Sequence, residues 1–194
     1  MLYNLKSQIS ESVKVNNSLI NLNNEIEKII KIIFKKIKTK GKLLICGNGG
    51  SAADSQHLVT EFVVRLRPHI NRNPIPAISL VGDSSTITAC GNDYNFNQIF
   101  KRNLQAVGSK KDILLVLSTS GKSKNIIEVL KYAKKKNIST IGFFGNNGGL
   151  AKKYCDYNLI IKSKNVARIQ EAQMFLGHFI FEKVEDLVLK NSKK

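Results

Sequence analysis

The stretch Lys42-Leu43-Leu44-Ile45-Cys46-Gly47-Asn48-Gly49-Gly50-Ser51 joins an apolar run of strand length to a glycine-rich turn. A helical pattern opens at Ser51, so the stretch predicts a strand, a tight turn and the start of a helix. Glycines let the backbone approach a ligand closely, and the N–H groups at a helix start attract negative charge. The stretch therefore predicts a phosphate-like anion site, although an ordinary tight turn would also explain it.

Apolar runs of similar length recur along the chain, and helical patterns separate most of them. The five predicted strands cover residues 43–46, 77–81, 113–117, 138–143 and 158–161. This alternation predicts a parallel sheet with helices on both faces, and such sheets bind ligands beyond the carboxyl ends of their strands. Residues 1–39 are predicted to be helical with Gly41 as a stop, and residues from about 166 to 189 to form one long helix.

Length and composition predict a single domain in the cytoplasm. A chain of 194 residues, 42% of them hydrophobic, suits one domain with a sizeable core. The cysteines Cys46, Cys90 and Cys155 form no CxxC pair, which favours free thiols in a reducing compartment over disulfides or a zinc knuckle. No apolar run is long enough to span a membrane, and the first six residues lack a secretory signal pattern.

The formal net charge of +17 suggests a polyanionic partner. However, only five of the 31 basic residues are arginines, the usual readers of bases and phosphates. Solvated lysine faces explain the charge without such a partner, so we expect no specific nucleic-acid binding. Non-specific binding to polyanions at low salt is the remaining alternative.

A second glycine-containing turn, Ser118-Thr119-Ser120-Gly121-Lys122-Ser123, directly follows the third predicted strand. Its four hydroxyl groups can donate several hydrogen bonds to phosphate oxygens, and the following helix adds its dipole. A simple helix N-cap is the alternative, but one serine would be enough for that. The turn therefore favours phosphate binding.

Two polar pairs lie on different predicted helices. His57 and Glu61 are four residues apart, and Gln170 and His178 are eight apart, so each pair occupies one side of its helix. If the two helices face each other, two imidazoles, a carboxylate and an amide oxygen surround a site suited to a zinc-like divalent ion. Structural polar residues on two helices are the alternative.

Polar residues also follow the second predicted strand, as Asp83-Ser84-Ser85 and then Gly91-Asn92-Asp93-Tyr94. We interpret both groups as turns. Asp83, Asn92 and Asp93 have side chains suited either to binding sugar hydroxyls or to capping turns as Asx residues.

Four of these motifs, taken in order, resemble the phosphoheptose isomerases of the sugar isomerase (SIS) superfamily. The motifs are Gly47-Asn48-Gly49-Gly50-Ser51-Ala52-Ala53-Asp54 with Gln56, His57 and Glu61; Gly91-Asn92-Asp93-Tyr94; Leu117-Ser118-Thr119-Ser120-Gly121-Lys122-Ser123; and Ala167-Arg168-Ile169-Gln170-Glu171 with His178. The match runs from about residue 40 to 185. The helical residues 1–39 fit the amino-terminal extension of this family.

The resemblance implies a three-layer αβα sandwich with a five-stranded parallel sheet, similar to flavodoxin-like and Rossmann-like folds. It implies one SIS domain over residues 1–194, in which residues 1–39 serve packing and oligomerisation. The implied protein is a cytoplasmic homotetramer with active sites between subunits. It would interconvert sedoheptulose 7-phosphate and D-glycero-D-manno-heptose 7-phosphate for lipopolysaccharide or capsule synthesis. A non-catalytic SIS protein that binds a sugar phosphate or a replication initiator is the alternative.

The resemblance also implies roles for individual residues. Glu61 and His178 would be the acid/base pair, and zinc would be held by His57, Glu61, Gln170 and His178. The substrate would be contacted by Asn48, Gly49, Gly50, Ser51, Glu61, Arg65, Asn92, Asp93, Ser118, Thr119, Ser120, Ser123 and Gln170. Within that set, Ser51, Ser118, Thr119, Ser120 and Ser123 would hold the phosphate.

Overall fold

The computed structural model describes residues 4–192, so residues 1–3 of the predicted amino-terminal helical segment lie outside the described part. Its centre is a five-stranded, all-parallel sheet in the order β2-β1-β3-β4-β5. The strands are β1 (Leu43–Gly47), β2 (Ala77–Ser79), β3 (Ile113–Ser118), β4 (Ser139–Gly145) and β5 (Tyr157–Ile161). The predicted fold class is confirmed. The edge strand β2 ends two residues early, because the chain turns towards Gly82 at φ +76°.

Helices connect these strands and precede them. They are α1 (Leu5–Ser18), α2 (Asn23–Lys38), α3 (Gly50–Thr60), α4 (Ser84–Asp93), α5 (Ile99–Val107), α6 (Lys124–Lys135) and α7 (Val166–Ser192). A 3-10 turn at Leu19–Leu22 divides the predicted amino-terminal helical segment into two helices. A π-helical turn, Glu61–Arg65, continues α3. Within residues 4–192, no helix is both long and apolar enough to cross a membrane.

Alternate side chains of the central strands bury against different helices, which produces the three layers. On one face, Ile45 and Leu115 pack in a cluster with residues of α2, α3 and α7 such as Ile29 and Leu58. On the other face, Leu44 and its neighbours pack with residues of α4, α5 and α6. Burial on both faces is the reason these strands are continuous apolar runs.

The strand order places both glycine-containing turns at one point of the sheet. The chain goes from β1 to β2 on one side of β1, and β3 lies on the other side, so the direction of winding reverses between β1 and β3. Gly47 at the end of β1 pairs with Leu117 near the end of β3. Ligands of open parallel sheets bind at such reversals, and the turns at residues 47–51 and 118–123 both begin there.

Asp112 ties together the starts of β1 and β3 at the opposite edge. Its side chain is 2% exposed and accepts hydrogen bonds from the Lys42 backbone N–H at 3.0 Å, from Lys42 Nζ at 2.9 Å and from the Ser109 N–H at 2.7 Å. Burial opposes the charged form, but the bonds from Lys42 and Ser109 outweigh it and lower the pKa of the carboxyl group.

We expect Asp112→Asn to lower the free energy of unfolding by about 1–3 kcal/mol at neutral pH, because bonds to a buried charge are lost. Since the folded-state pKa is lowered, this stabilisation is complete above the ordinary value of 3.8 and disappears as pH falls through the folded-state pKa. Urea unfolding of both proteins against pH measures the difference. Glu27→Gln removes an exposed carboxylate and is the control. If the difference in unfolding free energy between wild type and Asp112→Asn stayed the same in acid, the Asp112 carboxylate would not be the source of the stabilisation.

Candidate functional site

The turn at residues 47–51 leaves the start of α3 open to a ligand. Gly49 is the N-cap residue, with φ +57°, and it has no side chain to cap the helix. Its carbonyl accepts the Ala52 N–H at 3.0 Å, which fixes the first helical turn. The N–H groups of Gly50 and Ser51 have no partner within the helix. They stand at the positive end of the α3 dipole, the position that favours an anion.

The turn at residues 118–123 uses its hydroxyl groups differently from a simple helix cap. Ser118 Oγ accepts the Gly121 N–H at 3.1 Å, and Ser120 Oγ accepts the Lys122 N–H at 3.2 Å. Ser123 is the N-cap residue of α6, but its side chain makes no capping hydrogen bond. A hydroxyl that accepts one bond still has its own proton to donate. These groups, with the half-buried Thr119, can therefore donate to phosphate oxygens.

A pair of amide side chains connects the two turns. Asn48 Nδ2 donates to Asn125 Oδ1 at 2.9 Å, and Asn125 Nδ2 donates to Asn48 Oδ1 at 2.8 Å. Asn125 is 1% exposed, and its Oδ1 also accepts the Ile126 N–H. Asn48 was predicted as a substrate contact, and here its amide holds the turns together. The role of Asn125 was missed, since a single asparagine within a helical pattern carries no sign of its partner.

A third turn, at Gly148 and Gly149, packs against the 118–123 turn. Gly121 has φ +61°, and a Cβ added to it would lie 2.0 Å from the Gly148 carbonyl oxygen. The Ala151 N–H donates to the Gly121 carbonyl at 2.9 Å. The backbone at Gly148 and Gly149 therefore packs directly against the 118–123 turn. The glycines after β4 were not singled out from the sequence, where they resemble an ordinary loop.

His57, Glu61 and His178 come together at the far end of α3. His57 Nε2 lies 3.1 Å from Glu61 Oε1 and 3.0 Å from His178 Nε2, although 121 positions separate the two histidines. Gly177 permits this approach of α7 to α3, because a Cβ there would lie 2.6 Å from a methyl carbon of Leu58. The expected meeting of the two helices is therefore observed for these three side chains.

The three side chains have the donor atoms of a transition-metal site. One atom from each of His57, Glu61 and His178 lies within 4.8 Å of the other two. Two imidazole nitrogens and one carboxylate oxygen are a ligand set that suits zinc. One turn before His57, Asp54 has a buried Oδ2 without a hydrogen-bond partner among the described residues. Burial raises the pKa of Asp54, against the opposing charge of His57. The residues present thus fit a divalent cation.

Gln170, the fourth predicted ligand, lies next to the other end of α3. A Cβ on Gly50 would stand 2.5 Å from Gln170 Nε2, so the amide covers the first turn of α3. His178 is eight residues further along α7, about 12 Å along the helix axis. The structure therefore brings three predicted ligands together and places Gln170 beside the 47–51 turn.

The remaining predicted substrate residues are Arg65, in the turn that Glu61 begins, and Asn92 and Asp93, on the helix α4 that packs on the other face of the sheet. Arg65 is exposed at the end of the π-helical turn. Asn92 and Asp93 are exposed, and Asn92 Nδ2 donates to Asp93 Oδ1 at 2.9 Å. The interpretation of these two residues as a turn was wrong, because they form the last turn of α4. Asp83 is the N-cap of α4 and accepts the Thr86 N–H at 2.7 Å, as its alternative interpretation predicted.

Known proteins are similar to this chain in both sequence and fold. The SIS domain family model matches residues 10–145. A phosphoheptose isomerase from Clostridium acetobutylicum is 42% identical over 184 residues, which is 93% of each chain. One from Synechocystis is 49% identical over 160 residues, covering 82% of this chain and 81% of the relative. The solved phosphoheptose isomerase from Francisella tularensis superposes with a TM-score of 0.89 at 33% identity, over 94% of this chain and 96% of the other.

Proposed function

This chain belongs to the phosphoheptose isomerase family of SIS-domain proteins, and we propose that it interconverts sedoheptulose 7-phosphate and D-glycero-D-manno-heptose 7-phosphate. Within this chain, one observation supports the proposed reaction more than any other. The cluster of His57, Glu61 and His178 forms at the far end of α3, where His178 reaches it from α7, and the proposed anion-binding turn lies at the start of the same helix α3. A sugar phosphate anchored at that turn extends its reactive end along α3 towards the cluster.

The reaction moves a carbonyl group between C1 and C2 through an enediolate. In the proposed mechanism, the Glu61 carboxylate removes the proton from C1 of the ketose and later returns it to C2. His178 donates a proton to the carbonyl oxygen and takes one from the neighbouring hydroxyl, so the protons balance. A carboxylate and an imidazole are suited to these exchanges near neutral pH. The side chain of Glu61 is only 13% exposed, which limits competition from water.

A zinc ion is proposed to be held by His57, Glu61 and His178 of one chain. Gln170 of the same chain lies beside Gly50 at the other end of α3, so the Gln170 proposed as a further ligand is that of a neighbouring subunit. When bound, such an ion stabilises negative charge that develops on substrate oxygen. The substrate phosphate is assigned to Ser51, Ser118, Thr119, Ser120 and Ser123. The sugar is assigned to Asn48, Gly49, Gly50, Arg65, Asn92, Asp93 and Gln170. Asn92 and Asp93 lie on α4, which packs on the other face of the sheet, so a neighbouring subunit is proposed to complete the site.

Incubating the purified protein with sedoheptulose 7-phosphate, and following the sugar by NMR with and without a chelator, tests the proposed activity. Formation of the aldose 7-phosphate, loss of activity with chelator and recovery with zinc are expected. An elemental analysis of the same sample identifies the bound metal. A folded protein that left the ketose unchanged in the presence of zinc would contradict the proposal.

Exposed apolar side chains support the proposal of a homotetramer. Leu5, Ile9 and Val13 recur every four residues on α1 and are 73%, 54% and 51% exposed. On α7, Phe175 is 55% exposed and, with Ile20, lines a groove between the amino-terminal segment and α7. Large exposed apolar surfaces of this kind mark contacts between proteins. The proposed partner is a second copy of this chain, with residues 1–39 contributing to the contact within a single SIS domain.

We expect Phe175→Glu to reduce the tetramer to smaller species, because burying a large apolar side chain stabilises a contact by about 1.5–3 kcal/mol in each copy. Light scattering on a sizing column measures the mass, with 21.6 kDa for each chain. Val107→Glu is the matched control, since Val107 is 40% exposed on α5, which packs on the opposite face of the sheet. A wild-type protein of one chain mass, or a Phe175→Glu variant that stays tetrameric, would exclude this contact.

We also propose a cytoplasmic location and a role in heptose synthesis for a surface polysaccharide. Both are proposals that rest on the family alone. The distribution of the protein between cytosolic and membrane fractions tests the first. The heptose content of the polysaccharide in a deletion strain tests the second.

A further inference from the structure

A cluster of buried charged side chains joins the π-helical turn to α7. Arg72 is 3% exposed at its side chain and Glu185 is 1% exposed. Arg72 Nε donates to Glu185 Oε1 at 2.5 Å, and Arg67 Nε donates to Glu185 Oε2 at 2.7 Å. Arg67 also donates to Asp186 Oδ1 at 2.6 Å. Glu182 lies 3.9 Å from Arg67 and Lys183 lies 3.6 Å from Asp186, so three positive and three negative groups meet here. Glu185 lies seven residues after His178 on α7.

Arg72 differs from Arg67 in what else it binds. Its Nη2 donates to the Glu61 carbonyl at 2.7 Å, and its Nη1 donates to the Phe62 carbonyl at 2.8 Å. Carbonyl groups near a helix end need partners from outside the helix, and one guanidinium group binds two of them. Among the described residues, the Arg67 side chain instead donates its hydrogen bonds to the carboxylates of Glu185 and Asp186. Arg72 therefore connects the backbone of Glu61 to the helix that carries His178.

This connection reaches the proposed site through a short path. Glu61 makes both contacts: its carbonyl accepts a hydrogen bond from Arg72, and its carboxylate lies beside His57. Phe62, the next residue, stacks on Phe181 of α7 with ring centroids 4.0 Å apart. A buried ion pair adds little net stability over well-packed apolar side chains. Disturbing one partner of a buried pair is costly, however, so a change at Arg72 is expected to lower global stability and, in addition, to displace the π-helical turn.

We infer that Arg72 is a positioning residue: through the Glu61 and Phe62 carbonyls and Glu185, it holds the Glu61 carboxylate in place opposite His178. The inference deepens the proposed isomerase function and rests on it for the catalytic consequence. The planar fork of the guanidinium binds two carbonyls and a carboxylate at once, and a lysine ammonium cannot reproduce that geometry. A positive charge at position 72 is therefore not enough to hold the two carbonyls and the carboxylate together.

The test compares wild type, Arg72→Lys and the matched control Arg67→Lys. For Arg72→Lys we expect kcat to fall about 10–100-fold, the usual cost of disturbing residues that support a metal site, with KM little changed. The zinc affinity of the chelator-treated protein falls over the same range. Deuterium exchange of amides in residues 61–66 rises by more than the accompanying loss of unfolding free energy raises exchange elsewhere in the chain. Arg67→Lys, which leaves both carbonyl bonds in place, gives a smaller effect on all three site measurements.

Arg72→Lys with wild-type kcat, zinc affinity and exchange would overturn the inference. So would equal losses in Arg72→Lys and Arg67→Lys, because they would mean that the ion cluster acts only as general support. If Arg72→Lys does not fold, Glu185→Gln, which keeps the shape and one acceptor oxygen, is expected to give the same changes at smaller size. Wild-type protein without turnover would refute the proposed function instead, and zinc affinity and exchange would still decide the role of Arg72.

Discussion

Glu61→Gln is expected to lower turnover of sedoheptulose 7-phosphate by about 10²–10⁴-fold, the usual contribution of general acid–base catalysis. The amide keeps the shape of the side chain but cannot take up the proton from C1. It is also a weaker ligand for a cation, so a moderate loss of zinc affinity is expected as well. Steady-state kinetics at saturating zinc separates the two effects, because restoring the metal does not restore the base.

Folding is expected to be unaffected in this variant, since the amide keeps the shape of the side chain and the hydrogen bond from Arg72 to the Glu61 carbonyl remains. Glu128→Gln removes a carboxylate that pairs with Lys131 on α6, and it is the matched control for turnover. Near-normal turnover by Glu61→Gln at saturating zinc would remove Glu61 from the proposed mechanism.

Gly121→Ala is expected to cost about 2–6 kcal/mol of unfolding free energy. A side chain at φ +61° is strained by about 1–3 kcal/mol. The new Cβ would also stand 2.0 Å from the Gly148 carbonyl oxygen, and forcing atoms into a filled space costs about 1–3 kcal/mol more. Because the other atom belongs to backbone, no side-chain rotation relieves the contact. Urea unfolding measures the loss.

The 118–123 turn should open as the 148–149 backbone moves away, so the KM for the sugar phosphate is expected to rise in any folded fraction of Gly121→Ala. Gly91→Ala is the control, because Gly91 has an ordinary φ and a Cβ there meets open space. In a helix this change stabilises by about 0.5–1 kcal/mol. Equal stability of the two variants would show that the two turns are not in tight contact.

Much of the fold was predictable because its determinants are local. Each strand is a short apolar run bounded by polar residues, and burial on both faces of the sheet imposes that pattern. The start of α3 and its glycine turn are encoded within ten residues. His57 and Glu61 were correctly paired for the same reason, since a spacing of four places them on one side of a helix.

The errors also have local causes. The sequence predicts a turn at Asn92 and Asp93, because asparagine and aspartate favour turns. Their place at the end of α4 depends on packing that propensity does not include, with Cys90 buried against the sheet. The division between α1 and α2 was not predicted, because the apolar pattern continues through Leu19 and Leu22.

The sequence alone was thus enough to predict the αβα architecture, the positions of the two glycine-containing turns and the one-turn spacing of His57 and Glu61. Contacts between distant segments depended on the folded arrangement: His57 with His178, Asn48 with Asn125, Gly121 with Gly148, and Arg72 with the Glu61 carbonyl. The reason is physical. A repeating pattern reports which side of an element is buried, whereas side chains and backbone from separate elements meet only after the sheet and its helices have packed.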